Sequence, residues 1–124
     1  MAMTRVFFSF DFDNDLALKN LMKGQLKLPG SPFEAADWSM KEAAPQRNWE
    51  QEAEGRIIRS DVVIVLLGVR THRAPGVRKE VAMARRNRKR LVQVILNANS
   101  NPVPVPNGGN VIRWSWLNLR RVLA

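Results

Sequence analysis

The side chain whose position best fits a catalytic role is Glu80. It lies three residues after Val77 and one residue before Val81, so a helix over 76–88 places it beside the apolar stripe of that helix. A carboxylate in that position is partly removed from water and held in one orientation, as a reactive or binding group must be. The alternative is a structural carboxylate that complements the helix dipole or pairs with a nearby arginine. Spacing alone leaves both roles open.

A second group of carboxylates comes from Asp11, Asp13 and Asp15. A calcium-binding loop that started at Asp11 would need glycine at position 16 and glutamate at 22, where Leu16 and Met22 stand. We therefore predict no metal site here. The favoured role is N-capping of a helix that follows. Asp11 is the exception, because it directly follows a predicted strand.

Several other kinds of chemistry are excluded by composition. The chain has no cysteine and a single histidine, His72, so thiolate catalysis and a zinc site are not expected. It also lacks the glycine-rich motifs of phosphate-binding loops and of the common dinucleotide-binding fold.

Charge favours anionic partners, since the formal net charge is +9 over 124 residues. The densest basic run extends from Arg85 to Arg90. At a helix C-terminus such a run complements the dipole and stays in water. The alternative is a phosphate-contacting patch, whose binding would depend steeply on salt.

The elements that must position these residues alternate along the chain. Runs typical of strands cover 5–10, 33–38, 61–68, 91–96 and 111–114, whereas helical spacing covers 18–26, 49–59, 76–88 and a terminal helix capped by Ser115. The run 61–68 is continuously apolar, as expected of a strand covered on both faces. Strands separated by helices predict one α/β domain over 1–124, a three-layer αβα sandwich with a mainly parallel, flavodoxin-like sheet.

In a flavodoxin-like sheet, ligands bind beyond the carboxyl ends of the first and third strands, where the strand order reverses. Ser9 and Asp11 follow the first strand, and the helix that carries Glu80 closes the same edge. We therefore expect Ser9 and Asp11 to contact a ligand there. No apolar run is long enough to cross a bilayer and no secretory leader is evident, so we expect a cytoplasmic protein without membrane contact.

Four blocks in this order resemble the TIR-like domains of bacterial anti-phage signalling proteins of the Thoeris type. They are the opening segment 6–15, the segment 37–42, the segment 58–68 with Thr71 shortly after, and Glu80 in the helix that follows. The resemblance covers residues 5 to about 96 and implies a flavodoxin-like TIR fold. Many relatives place a tryptophan shortly before the glutamate, whereas residues 76–79 read Gly-Val-Arg-Lys here.

The resemblance also implies a function. It suggests an NAD glycohydrolase or ADP-ribosyl cyclase that makes a cyclic ADP-ribose-type messenger, with NAD as substrate and no bound cofactor. Glu80 carries over as the catalytic residue and Phe7 as a binding residue. A phage-derived trigger and self-association are the partners implied. Two alternatives stay open: a non-catalytic adaptor that acts by self-association, and a nucleic-acid-binding module that uses the run 85–90.

Overall fold

The computed structural model describes residues 4–11, 14–27, 33–38, 46–97 and 100–123, and these ranges form alternating strands and helices. The strands are β1 (Thr4–Ser9), β2 (Phe33–Trp38), β3 (Val62–Leu66), β4 (Arg90–Ile95) and β5 (Asn110–Arg113). The helices are α1 (Leu16–Leu26), α2 (Gln46–Ile58), α3 (Pro75–Arg86) and α4 (Trp116–Leu123), and a short 3₁₀ turn (Thr71–Arg73) precedes α3. Each predicted strand and helix is confirmed, and α2 begins three residues earlier than the predicted start at Trp49.

The strands form one parallel sheet with the order β2-β1-β3-β4-β5. The strand order therefore reverses at β1, which lies between β2 and β3, and Ser9 at the end of β1 pairs with Val65 of β3. The prediction of a three-layer, flavodoxin-like α/β fold is confirmed. The switch point lies between the carboxyl ends of β1 and β3, where ligands bind in such sheets.

Apolar side chains cover both faces of the sheet. All five residues of β3 are buried, as the continuous apolar run predicted. Because side chains alternate along a strand, β1 sends Phe8 toward the layer of α1 and α4, and Phe7 toward the layer of α2 and α3. The first layer packs on Phe8 through Met22 and Leu119. The second packs on Phe7 through side chains of α2 and α3.

The last helix begins at a capping residue. The predicted cap of α4 is confirmed, because the backbone N–H of Asn118 donates to Ser115 Oγ at 2.9 Å.

Within the described ranges, no helix combines the length and the apolar character that crossing a bilayer requires.

Candidate functional site

Glu80 lies on the face of α3 that packs against the sheet. Pro75 opens this helix, where its fixed φ suits the first turn, and Val77, Val81 and Ala84 bury the same side. Glu80 is 0% exposed, and its Oε1 accepts a hydrogen bond of 2.6 Å from Ser9 Oγ. The expected burial beside the apolar stripe is confirmed, while the catalytic role stays a prediction.

Ser9 reaches Glu80 because of strand alternation. It is the last residue of β1, and it points to the α3 side of the sheet, as Phe7 does two residues earlier. Ser9 is itself 0% exposed. Hydrogen bonds to a carboxylate are short and strong, so this one holds the Glu80 side chain in a single orientation at the switch point.

The helix dipole contributes less to Glu80 than its sequence position suggested. Glu80 is the sixth residue of α3, and the first turn of this helix contains no acidic residue. Dipole effects fall off within the first turn. Because Glu80 is fully buried, its carboxylate offers no surface to a ligand in this conformation.

A second polar cluster joins the residue before α1 to the segment after β3. Thr71 Oγ1 donates to Asp15 Oδ2 at 2.8 Å and accepts from the backbone N–H of Gly68 at 2.7 Å. Asp15 precedes α1, and its side chain makes no capping hydrogen bond. Asp15 thus occupies the N-cap position of α1, as predicted for this group of carboxylates, but its carboxylate accepts from Thr71 instead of from the first turn of the helix. Asp13 lies outside the described residues.

Gly68 is required at this point by a close approach. A Cβ atom at this position would lie 2.6 Å from Asp15 Cγ and 2.5 Å from Asp15 Oδ2. The backbone after β3 can thus pass directly over the carboxylate only because residue 68 has no side chain. Sequence reasoning placed Gly68 and Thr71 after the third strand but missed their link to Asp15, 56 residues from Thr71 along the chain.

Burial disfavours the charged form of Asp15. It is 8% exposed, and desolvation raises the pKa of its carboxyl group above the usual 3.8. The hydrogen bond from Thr71 opposes this shift, and the nearby charge of Asp11 adds to it. In the described ranges, no three histidine or acidic side chains lie close enough together to hold a metal ion.

A cavity of about 220 Å³ opens beside this cluster. The start of α1, the segment after β3 and the segment after β4 form its wall. The polar side chains along the wall are those of Asn14, Asp15, Asn97 and Ser100. Hydrogen-bonding groups from several strand ends therefore converge on one opening, as in ligand sites of parallel sheets.

The two other predicted binding residues are both buried. Phe7 is 0% exposed and packs against Trp49 and Met83, so its ring offers no surface to a ligand in this conformation. Asp11 is 7% exposed at the end of β1, where its carboxylate accepts a hydrogen bond of 2.7 Å from the Asn14 side chain. Binding roles for Phe7, Ser9 and Asp11 stay predictions.

The basic run at the C-terminal end of α3 is partly engaged by the protein itself. Arg86 forms two hydrogen bonds with Glu54 of α2, at 2.6 and 2.7 Å, and Asn87 donates to the same carboxylate. These contacts lower the pKa of Glu54 to about 2. Lys89 Nζ donates to the carbonyl oxygen of Ile58. The run therefore joins α3 to α2, so part of its charge is used within the fold.

Comparison with known families identifies a match. A sequence model described as the TIR-like domain of the Thoeris protein ThsB matches residues 7–101. That span begins in β1 and ends after β4, and it contains Ser9, Asp15, Thr71 and Glu80. No curated protein matches the chain.

Proposed function

The chain belongs to the family of TIR-like domains of the Thoeris protein ThsB, which acts in anti-phage signalling, and on this premise we propose that it is an NAD-processing enzyme. The proposed reaction cleaves the bond between nicotinamide and ribose in NAD. The observation that carries the proposal is the buried Glu80 carboxylate, oriented by Ser9 at the switch point of the sheet.

The chemistry suits a single oriented carboxylate. When the bond from ribose C1 to the nicotinamide nitrogen breaks, its electron pair goes to that nitrogen, and nicotinamide leaves as a neutral molecule without a general acid. The ribose is left as an oxocarbenium-like cation, as in glycoside hydrolysis. The negative charge of Glu80 would stabilise that cation as it develops.

The group that captures the cation decides the product. Attack by water gives ADP-ribose and releases one proton, whereas attack by a nucleophilic group of the same ADP-ribosyl unit closes a cyclic ADP-ribose-type messenger. We propose that the other ligand contacts come from Asp11, at the end of β1, and from Phe7 and Ser9 once the edge opens. The net charge of +9 would help to attract the anionic dinucleotide, for which the cytoplasm is the proposed compartment.

The burial of Glu80 supports regulation by a trigger. With 0% exposure the carboxylate cannot contact a ribose until α3 moves relative to β1. We propose that a phage-derived signal or self-association drives this movement. The purified chain should therefore have low basal activity.

The test is nicotinamide release from NAD by the purified full chain, with and without lysate from phage-infected cells. Glu80→Gln keeps the size of the side chain and an acceptor for Ser9, and it should lower the activated rate by a factor of about 10²–10³. Ser9→Ala should lower it by about tenfold, because the hydrogen bond that orients Glu80 is lost. Glu52→Gln is the matched control, since Glu52 is an exposed glutamate of α2, and it should leave the rate unchanged.

The outcomes separate the remaining possibilities. An activated Glu80→Gln rate equal to that of the unmodified chain would show that Glu80 has no catalytic role. If no condition produces nicotinamide, and light scattering shows oligomers that grow with protein concentration, the chain is a non-catalytic adaptor.

A further inference from the structure

A groove runs along one side of α3. It has a volume of about 540 Å³ and lies between α3 and the segment that contains Pro106 and Asn107. Arg78 and Arg85 line it from the helix. Both are about 150° around the helix from Glu80, so these two guanidinium groups and the candidate catalytic carboxylate lie on nearly opposite sides of α3.

The wall opposite α3 is held in place by one buried side chain. Gln93 of β4 is 1% exposed, and its Nε2 donates to the carbonyl oxygens of Val105 and Gly109 at 3.2 and 3.1 Å. Its Oε1 accepts from the backbone N–H of Val105 at 2.7 Å. A Cβ atom on Gly108 would lie 2.7 Å from Gln93 Nε2, so glycine permits this close packing. The wall is therefore preorganised, which reduces the entropy that a ligand must overcome.

The charge in the groove is not balanced by the fold. Within the described ranges, neither Arg78 nor Arg85 forms an ion pair with a carboxylate. Among the described residues, the hydrogen bond that Arg85 makes is a long one of 3.4 Å to the carbonyl oxygen of Asn107. Arg86 also borders the groove, but its guanidinium is paired with Glu54. Two guanidinium groups thus remain available over a floor formed by Val81, Ala82 and Pro106.

We propose that this groove binds a phosphate-bearing small molecule, with a nucleotide as the best fit. Guanidinium groups match the geometry of phosphate oxygens and bind them through paired hydrogen bonds. The apolar floor suits a base or another flat ring, and the volume falls in the range of small-molecule sites, roughly 300–1,000 Å³. A ligand in this groove would contact the helix that carries Glu80 without occupying the switch point.

The test is calorimetric titration of the full chain with ATP and, separately, with inorganic tripolyphosphate. Arg78→Gln and Arg85→Gln should each weaken binding by about tenfold or more, because each removes a charge-assisted hydrogen-bond donor. Arg121→Gln removes an exposed charge from α4, on the other face of the sheet, and should leave affinity unchanged. Glu80→Gln should also leave it unchanged. Thermal unfolding checks that each variant is folded.

Each result bears on the proposal. Tighter binding of ATP than of tripolyphosphate, lost in both arginine variants, assigns the floor to a nucleotide base. Equal binding of both probes, with the same losses, assigns the groove to the polyphosphate alone and still supports it. The proposal is overturned if neither probe binds. It is also overturned if the arginine variants bind as well as the unmodified chain, or if Glu80→Gln is the variant that loses binding. The last result would place the anion at the switch point and would leave the proposed NAD chemistry intact.

Discussion

Replacing Gly68 with alanine should disrupt the polar cluster that joins the start of α1 to the segment after β3 and the 3₁₀ turn. The new Cβ atom would lie 2.6 Å from Asp15 Cγ, whereas ordinary contacts between such atoms are about 3.5–4 Å. The carboxylate must therefore retreat by about 1 Å. That movement stretches the hydrogen bond from Thr71, now 2.8 Å, beyond its useful range.

The expected cost follows from two overlapping effects. Overpacking a filled site costs about 1–3 kcal/mol, and losing a hydrogen bond to a charged acceptor costs about 1.5–3 kcal/mol. Moving the carboxylate relieves the overpacking but breaks the hydrogen bond, so the two costs do not add fully. We therefore expect Gly68→Ala to lower the free energy of unfolding by roughly 2–4 kcal/mol. For a chain of this size the unfolding temperature should fall by about 4 °C per kcal/mol, or about 8–16 °C.

The assay is thermal and urea unfolding followed by circular dichroism, with a double-mutant cycle that uses Asp15→Ala. If the clash is with the Asp15 carboxylate, the double variant should lose less stability than the two single losses added together, by about 1 kcal/mol or more. Gly24→Ala on α1 is the matched control. Nothing lies within 4 Å of a Cβ atom at that position, so this variant should be neutral or more stable by about 0.5–1 kcal/mol. Additive losses within about 0.5 kcal/mol would refute the reasoning.

Two further predictions concern pH. Contacts with Arg86 lower the pKa of Glu54 from 4.5 to about 2, so they stabilise the fold above pH 4.5 and are lost as pH falls toward 2. Glu54→Gln should therefore reduce the free energy of unfolding by about 0.5–1 kcal/mol at pH 7, with no difference near pH 2 in urea titrations; a constant difference would contradict the pairing. The pKa of Asp15 is raised from 3.8, so the folded chain holds this proton more tightly, and stability is lost as pH rises above that value. Asp15→Asn should match or exceed the thermal stability of the unmodified chain at pH 7 and lose any advantage below pH 3.8, whereas a clear loss at pH 7 would show that the charge stabilises the fold.

The elements were predictable where local pattern and burial agree. The β3 run is apolar at every position because both of its faces are covered, and that signal needs no knowledge of the partners. The start of α2 was harder to predict from the sequence. Its buried residues, Trp49, Ala53 and Ile57, recur every four positions, but the first turn carries no apolar residue to mark it. A pattern based on burial therefore detects the helix three residues late.

The position of Glu80 was also predictable, since helical spacing alone places it beside Val77 and Val81. Its partner was not, because the 2.6 Å contact with Ser9 depends on how α3 crosses the end of β1, 71 residues earlier in the chain. For Asp15, the local pattern was misleading. Its local pattern favours a helix cap, and a tertiary contact with Thr71 overrides that preference.

By itself, the sequence determined the order of strands and helices, the mainly parallel character of the sheet and the edge at which polar residues collect. These features follow from side-chain periodicity and from the handedness of strand–helix–strand connections, both of which act over short stretches of chain. Only the tertiary structure decided which polar groups meet there, that Glu80 is closed off from solvent, and that Arg78 and Arg85 face a wall held by Gln93. The physical reason is that a hydrogen bond requires its donor and acceptor to lie within about 3 Å of each other, and distances between remote segments emerge only when the whole core packs.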